Sequence, residues 1–160
     1  MRRMRAGRGF TLLELMIALM VVGILAGIAI PAYFGLVSNT RAAQAVADLQ
    51  AVRAAVYLYY GDLGRWPNES PAGFVPKGVA QNLPKSFAFS NKWYTLDYDN
   101  WIPLHRQGRP PNGTTTVIGV SIVSRDPKML LRIQSLIRNA KFSRISRTKY
   151  TLEVATLNGF

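Results

Sequence analysis

Cysteine is missing from all 160 residues, so no disulfide closes a loop and no thiolate binds a metal or attacks a substrate. Histidine occurs once, as His105, which excludes a His-rich metal site and a cysteine–histidine nucleophile; a lone histidine between turn residues reads as a solvent-facing loop position. Acids are scarce too, with eight Asp and Glu against twenty Lys and Arg, for a formal net charge of +12. From Leu15 to Thr40 charge of either sign is absent. A helix needs about 20 apolar residues, at roughly 1.5 Å each, to cross a bilayer core, and this stretch is long enough.

Arg2, Arg3, Arg5 and Arg8 precede the apolar run, and the first charge after it is Arg41. Arginine-dense flanks stay cytoplasmic, which predicts a single membrane span, N-terminus in and C-terminus out. Glu14 lies about one turn inside the junction, where an ionised carboxylate costs roughly 2.5–3.5 kcal/mol if carried to mid-membrane, so it calls for a positive partner. A free α-amino group on Phe10, created by cutting after Gly9, supplies one within the chain or from a neighbouring helix. Gly23 and Gly27 form a small-xxx-small pair that lets helices approach closely in lipid. Pro31 removes a backbone donor, and a bend or local unwinding between Gly23 and Pro31 is expected. An ordinary secretory signal ending near Ala26 to Ala32 is the competing reading, but an acid in the apolar core and a run this long argue against it.

The segment Gly9-Phe10-Thr11-Leu12-Leu13-Glu14-Leu15-Met16-Ile17, followed by Gly23, Gly27 and Ala29-Ile30-Pro31, resembles the type IV pilin-like family, which includes the pseudopilins of type II secretion. The resemblance implies that a prepilin peptidase cuts between Gly9 and Phe10 and methylates the new N-terminal Phe10. It also implies that Glu14 registers the incoming subunit through the Phe10 amine. The domains expected are a leader over 1–9 that is removed, a long helix over 10–60 whose first half spans the membrane, and a periplasmic or extracellular head over 61–160.

Val46, Leu49, Val52, Val56 and Tyr59 recur at helical intervals in an alanine-rich stretch, giving the second half of that helix one apolar face. Gly61, Gly64 and Pro67 stop it. Residues 61–92 read as an irregular connection that packs Trp66, Phe74, Phe87 and Phe89 onto the helix. Strands are predicted over 93–99, 115–123 and 149–156 from alternation and β-branched content, with a turn at Pro110-Pro111-Asn112-Gly113 between the first two. Asp126-Pro127 opens a short helix running to about Asn139. The fold class is therefore α+β, a long helix packed on a small, mainly antiparallel sheet, with strand order open because a helical crossover permits a parallel pair.

Removing the four leader arginines lowers the net charge from +12 to +8, and half of the remaining basic residues lie between 125 and 149. Arg125, Lys128, Arg132, Arg138, Lys141, Arg144, Arg147 and Lys149 are opposed there by Asp126 alone. They are the candidate polyanion contacts, set against the plainer reading of a solvated basic face. Asp97, Asp99 and Asn100 offer oxygens for calcium, which the resemblance implies for some major pseudopilins, but they lack a dedicated loop pattern, so no metal and no cofactor is expected. The expected role is a structural filament subunit without catalytic residues. Its partners are the prepilin peptidase, other pilin-like subunits, the inner membrane and an assembly platform. A competence pseudopilus subunit with DNA on its basic surface is the second reading, and a monomeric membrane-anchored periplasmic binding protein is the alternative of another class.

Overall fold

The computed structural model describes residues 9–102, 116–137 and 141–156. The leader arginines, His105, the turn over 110–113 and Arg138 lie outside the described residues. Helix α1 runs Leu12–Leu63 for 52 residues, with Pro31 inside it. Of the bend or local unwinding expected between Gly23 and Pro31, unwinding is not seen, since the helix is continuous there. A proline deletes one i→i−4 bond, and the turns on either side suffice to carry the helical path across it. The helix also ends later than the sequence suggests. Gly61 stays helical, and the stop is Gly64, whose φ of +63° is the left-handed conformation that a helix end favours in glycine. Its N–H closes on the Tyr60 carbonyl at 2.8 Å.

The chain divides into two compact units, Met1–Ser38 and Asn39–Phe160. In the first, the described side chains of α1 are apolar and exposed almost throughout, with a mean hydropathy of 2.6 over the most apolar 18-residue window and none of that window buried. It is the one helix among the described residues long and apolar enough to cross a membrane.

The second unit takes in α1 from Asn39 onward and a four-stranded sheet. Its strands are β1 (Thr95–Asn100), β2 (Thr116–Val123), β3 (Phe142–Arg144) and β4 (Lys149–Thr156), with helix α2 (Pro127–Leu136) between β2 and β3. The order is β1-β2-β4-β3, antiparallel at every pairing, which settles the open question of direction. β3 was not anticipated: three residues inside a basic run leave too little alternation to register. Helix α2 stops at Leu136, short of the expected Asn139. At its start Asp126 caps two backbone amides, those of Lys128 at 3.0 Å and Met129 at 3.3 Å, ahead of Pro127.

One face of α1 is buried as the 3.6 period requires: Ala42, Ala45, Leu49, Val52, Ala55, Val56 and Tyr59. They join Leu96 and Tyr98 of β1, Ile118, Val120 and Ile122 of β2, and Tyr150, Leu152 and Val154 of β4 in one cluster, to which α2 adds Met129, Leu130 and Ile133. Each fully buried Leu, Ile or Val contributes about 1.5–3 kcal/mol relative to exposure. Trp66 stacks on Tyr60 at 4.1 Å, Phe89 is buried and Phe87 partly so, as expected. Phe74 departs from expectation and stays 66% exposed, in a turn where its N–H bonds the Pro71 carbonyl.

The opposite face of the sheet is polar yet also buried. Asp97, Asp99, Ser121 and Thr151 point the same way because they share register across β1, β2 and β4. Gly119 makes room on this face, since a Cβ there would meet the Thr151 Cγ2 at 2.4 Å and the Trp101 ring at 3.6 Å.

Candidate functional site

The N-terminal site is built on the first turn of α1. Thr11 precedes the helix, and its Oγ1 accepts from the Glu14 N–H at 3.2 Å. The Glu14 carboxylate reaches back and takes the Thr11 N–H and the Thr11 hydroxyl, both at 2.9 Å. This reciprocal pair is a capping box: Thr-x-x-Glu satisfies amide donors that a helix start leaves unpaired. Sequence reasoning sought the partner of Glu14 in a cationic amine and overlooked Thr11, although the Thr-x-x-Glu spacing announces it. Hydrogen bonds solvate the carboxylate but leave its charge uncompensated, so the demand for a cation stands. Phe10 is 90% exposed beside it, and nothing lies within 4 Å of a Cβ built on Gly9, Gly23 or Gly27. Among the described residues, the Gly9-Phe10 peptide and the small-residue face of the helix are therefore open.

The described basic residues are not all equally free. Arg125, Lys128, Lys141, Arg144 and Arg147 are exposed. The Ser124 N–H bonds the Thr148 carbonyl at 2.9 Å, so the connections carrying Arg125 and Arg147 meet at one end of the sheet. Arg132 donates to Asn39 on α1. Lys149 leaves the set altogether, because its ammonium is 2.8 Å from Asp97 Oδ2 and 2.5 Å from Asp99 Oδ1 on the polar face of the sheet. Burial by itself would lower the Lys149 pKa, but the two aspartates lift it above its ordinary value and hold it charged.

Glu69 completes this cluster from the connection after α1, with its carboxyl oxygen among those of Asp97 and Asp99 within 4.8 Å. It accepts the Asn100 N–H, while the Asn100 side chain and the Tyr98 hydroxyl both donate to the Pro67 carbonyl, at 2.8 and 3.1 Å. Although the residue as a whole is exposed, its carboxyl end is turned into the cluster. Burial there, with the Asp99 and Asp97 charges adding to it, pushes its pKa up to about 7 against the pull of the Asn100 N–H and Lys149. The fold thus resists ionising Glu69, and its contribution to stability is full below its ordinary value of 4.5 and lost as pH rises towards 7. The melting temperature of a Glu69→Gln chain is expected to match wild type near pH 4 and to exceed it increasingly up to neutral pH, then level off. Solvent at the exposed residue trims the effect below the full linkage of about 1.4 kcal/mol per unit. A constant difference across that range would remove Glu69 as the titrating group.

Calcium takes 6–8 oxygen ligands at about 2.3–2.6 Å. The set here does not fit it: Lys149 stands between two of the carboxylates, and the second oxygen of Asp99 already accepts from Ser121.

Comparison with known proteins finds a family motif at the N-terminus. The family model described as the prokaryotic N-terminal methylation motif matches residues 4–30. The chain is 42% identical over 66 residues to the type IV major pilin protein PilE1 of Neisseria gonorrhoeae, covering 41% of this chain and 31% of that one. It is 43% identical over 72 residues to the fimbrial protein EcpC of Eikenella corrodens, 45% of this chain and 47% of that one. Type II secretion system core protein G of Pectobacterium carotovorum subsp. carotovorum is 29% identical over 96 residues, covering 59% of this chain and 62% of that one. The aligned stretches span a third to a half of those two pilins. No solved structure gives a significant match. Motif and relatives alike support the type IV pilin and pseudopilin family for this chain.

Proposed function

We propose that the chain is a structural subunit of a type IV pilus or type II secretion filament, cut between Gly9 and Phe10, methylated on Phe10, and polymerised through α1. The observation that carries this reading is the Glu14 carboxylate, held ready by Thr11 at the head of a helix whose stretch from Leu15 to Thr40 is uncharged and whose most apolar window is wholly unburied. An acid so placed gains from a neighbour's amine, and cutting after Gly9 frees an amine on Phe10, the residue before Thr11. Before assembly the same helix anchors the chain in the inner membrane with the head outside. Gly23 and Gly27 then give the packing face between subunits, and Pro31 the point where α1 is weakest. The prepilin peptidase, sister subunits and an assembly platform are its partners.

Intact-mass spectrometry of sheared surface fibres and of washed inner membranes tests this. A species beginning at methylated Phe10 is expected, in fibres for a pilin and confined to membranes for a pseudopilin. A chain that keeps residues 1–9, or one cut near Ala32, would overturn the reading.

A further inference from the structure

We infer that Lys149 is a built-in cation of the head: its ammonium stands where Glu69, Asp97 and Asp99 would otherwise gather a divalent ion, so the head folds independently of calcium. Three carboxylates brought within 4.8 Å of one another repel unless something positive lies between them. Asp99 is 3% exposed and Asp97 8%, so water does little to screen them. Lys149 supplies the charge from β4, two strands away from β1, by reaching over β2 at Ser121. An ammonium has three donors; two go to Asp97 and Asp99, and the Trp101 ring, 5.9 Å from Nζ, covers the group.

The surroundings are arranged around that ammonium. Ser121 donates to the far oxygen of Asp99 and shares a 2.6 Å hydrogen bond with Thr151, fixing the aspartate so that one oxygen faces Lys149. Glu69 fastens the connection after α1 to the end of β1 through the Asn100 N–H. The single positive charge therefore ties β4 to β1, and Glu69 joins the connection after α1 to the same cluster, together the task a metal ion performs elsewhere by ligation. It cannot be removed by a chelator.

The test uses the full chain in detergent micelles. The wild type is expected to melt at the same temperature in calcium and in EGTA, and to give no saturable terbium luminescence through Trp101. Lys149→Met removes the charge and keeps the length. It is expected to melt several degrees lower in EGTA, to regain most of that loss in calcium, and to show saturable terbium luminescence that Asp99→Asn abolishes. A wild-type melting point that rises with calcium, or wild-type terbium binding lost in Asp99→Asn, would overturn the inference. So would a Lys149→Met chain that is as stable as wild type in EGTA, or one that calcium does not restore.

Discussion

A Glu14→Ala chain is expected to be cut after Gly9, to insert, and then to be left out of filaments. The Glu14 carboxylate takes its hydrogen bonds from Thr11 of its own chain, which satisfies its lone pairs and leaves its charge. Bringing that charge among packed helices costs on the order of 2.5–3.5 kcal/mol unless a cation meets it, and the same figure, reversed in sign, is what a neighbour's amine returns. Losing the pair corresponds to a fall of roughly a hundredfold in the subunit's incorporation. The measurement is the ratio of the subunit in sheared fibres to that in membranes. Glu14→Gln separates the two jobs of the residue, since an amide oxygen still accepts from the Thr11 N–H but carries no charge. It should fail as the alanine does; normal assembly by Glu14→Gln would show that capping, not charge, is what Glu14 contributes.

Leu49→Ala should be the most damaging single truncation on the α1 face of the head. Leu49 is fully buried in the cluster where α1 meets the sheet, and Leu→Ala at such sites costs about 2–5 kcal/mol. For a unit of this size the melting temperature falls by roughly 10 °C, followed by tryptophan fluorescence because all three tryptophans lie in the head. Leu58→Ala, on the same helix but 56% exposed, should stay within about 0.5 kcal/mol of wild type. Equal losses at both positions would mean that helix propensity, not burial, holds this stretch together.

Much of this was legible in the chain. The apolar run, the Thr-x-x-Glu start and the spacing of Leu49, Val52, Val56 and Tyr59 are local signals, and local signals survive without knowledge of what packs where. The strands over 95–100, 116–123 and 149–156 showed themselves by alternation. What stayed hidden depends on pairing at long range. Lys149 read as one of eight basic residues because its environment is set by Asp97 and Asp99, about 50 positions away. Asp97 and Asp99, spaced by two on a strand, do share a face, and a lone lysine on the strand two places over was the signal to seek. Glu69 gave no such sign, since a loop residue reaches the cluster through the tertiary fold alone. Phe74 misled for a related reason: aromatic character suggests burial, but its turn directs it outward.

The two borders of the sheet bear on how heads can sit side by side without fusing. A strand at a border offers unpaired amides and carbonyls to any identical neighbour, which is how crowded copies zip into aggregates. Along β1 the Leu96 carbonyl receives the Gly73 N–H at 2.8 Å, the Leu96 N–H goes to Phe89 at 2.6 Å, and Glu69 takes the Asn100 N–H. The connection after α1 thus lies along that border as a selvedge. At the other border β3 is only three residues long, with exposed Arg144 on it and exposed Lys141 just before it, and two such borders repel each other on approach. In a fibre made of these chains, neither border would offer the heads a free strand along which to zip together edge to edge.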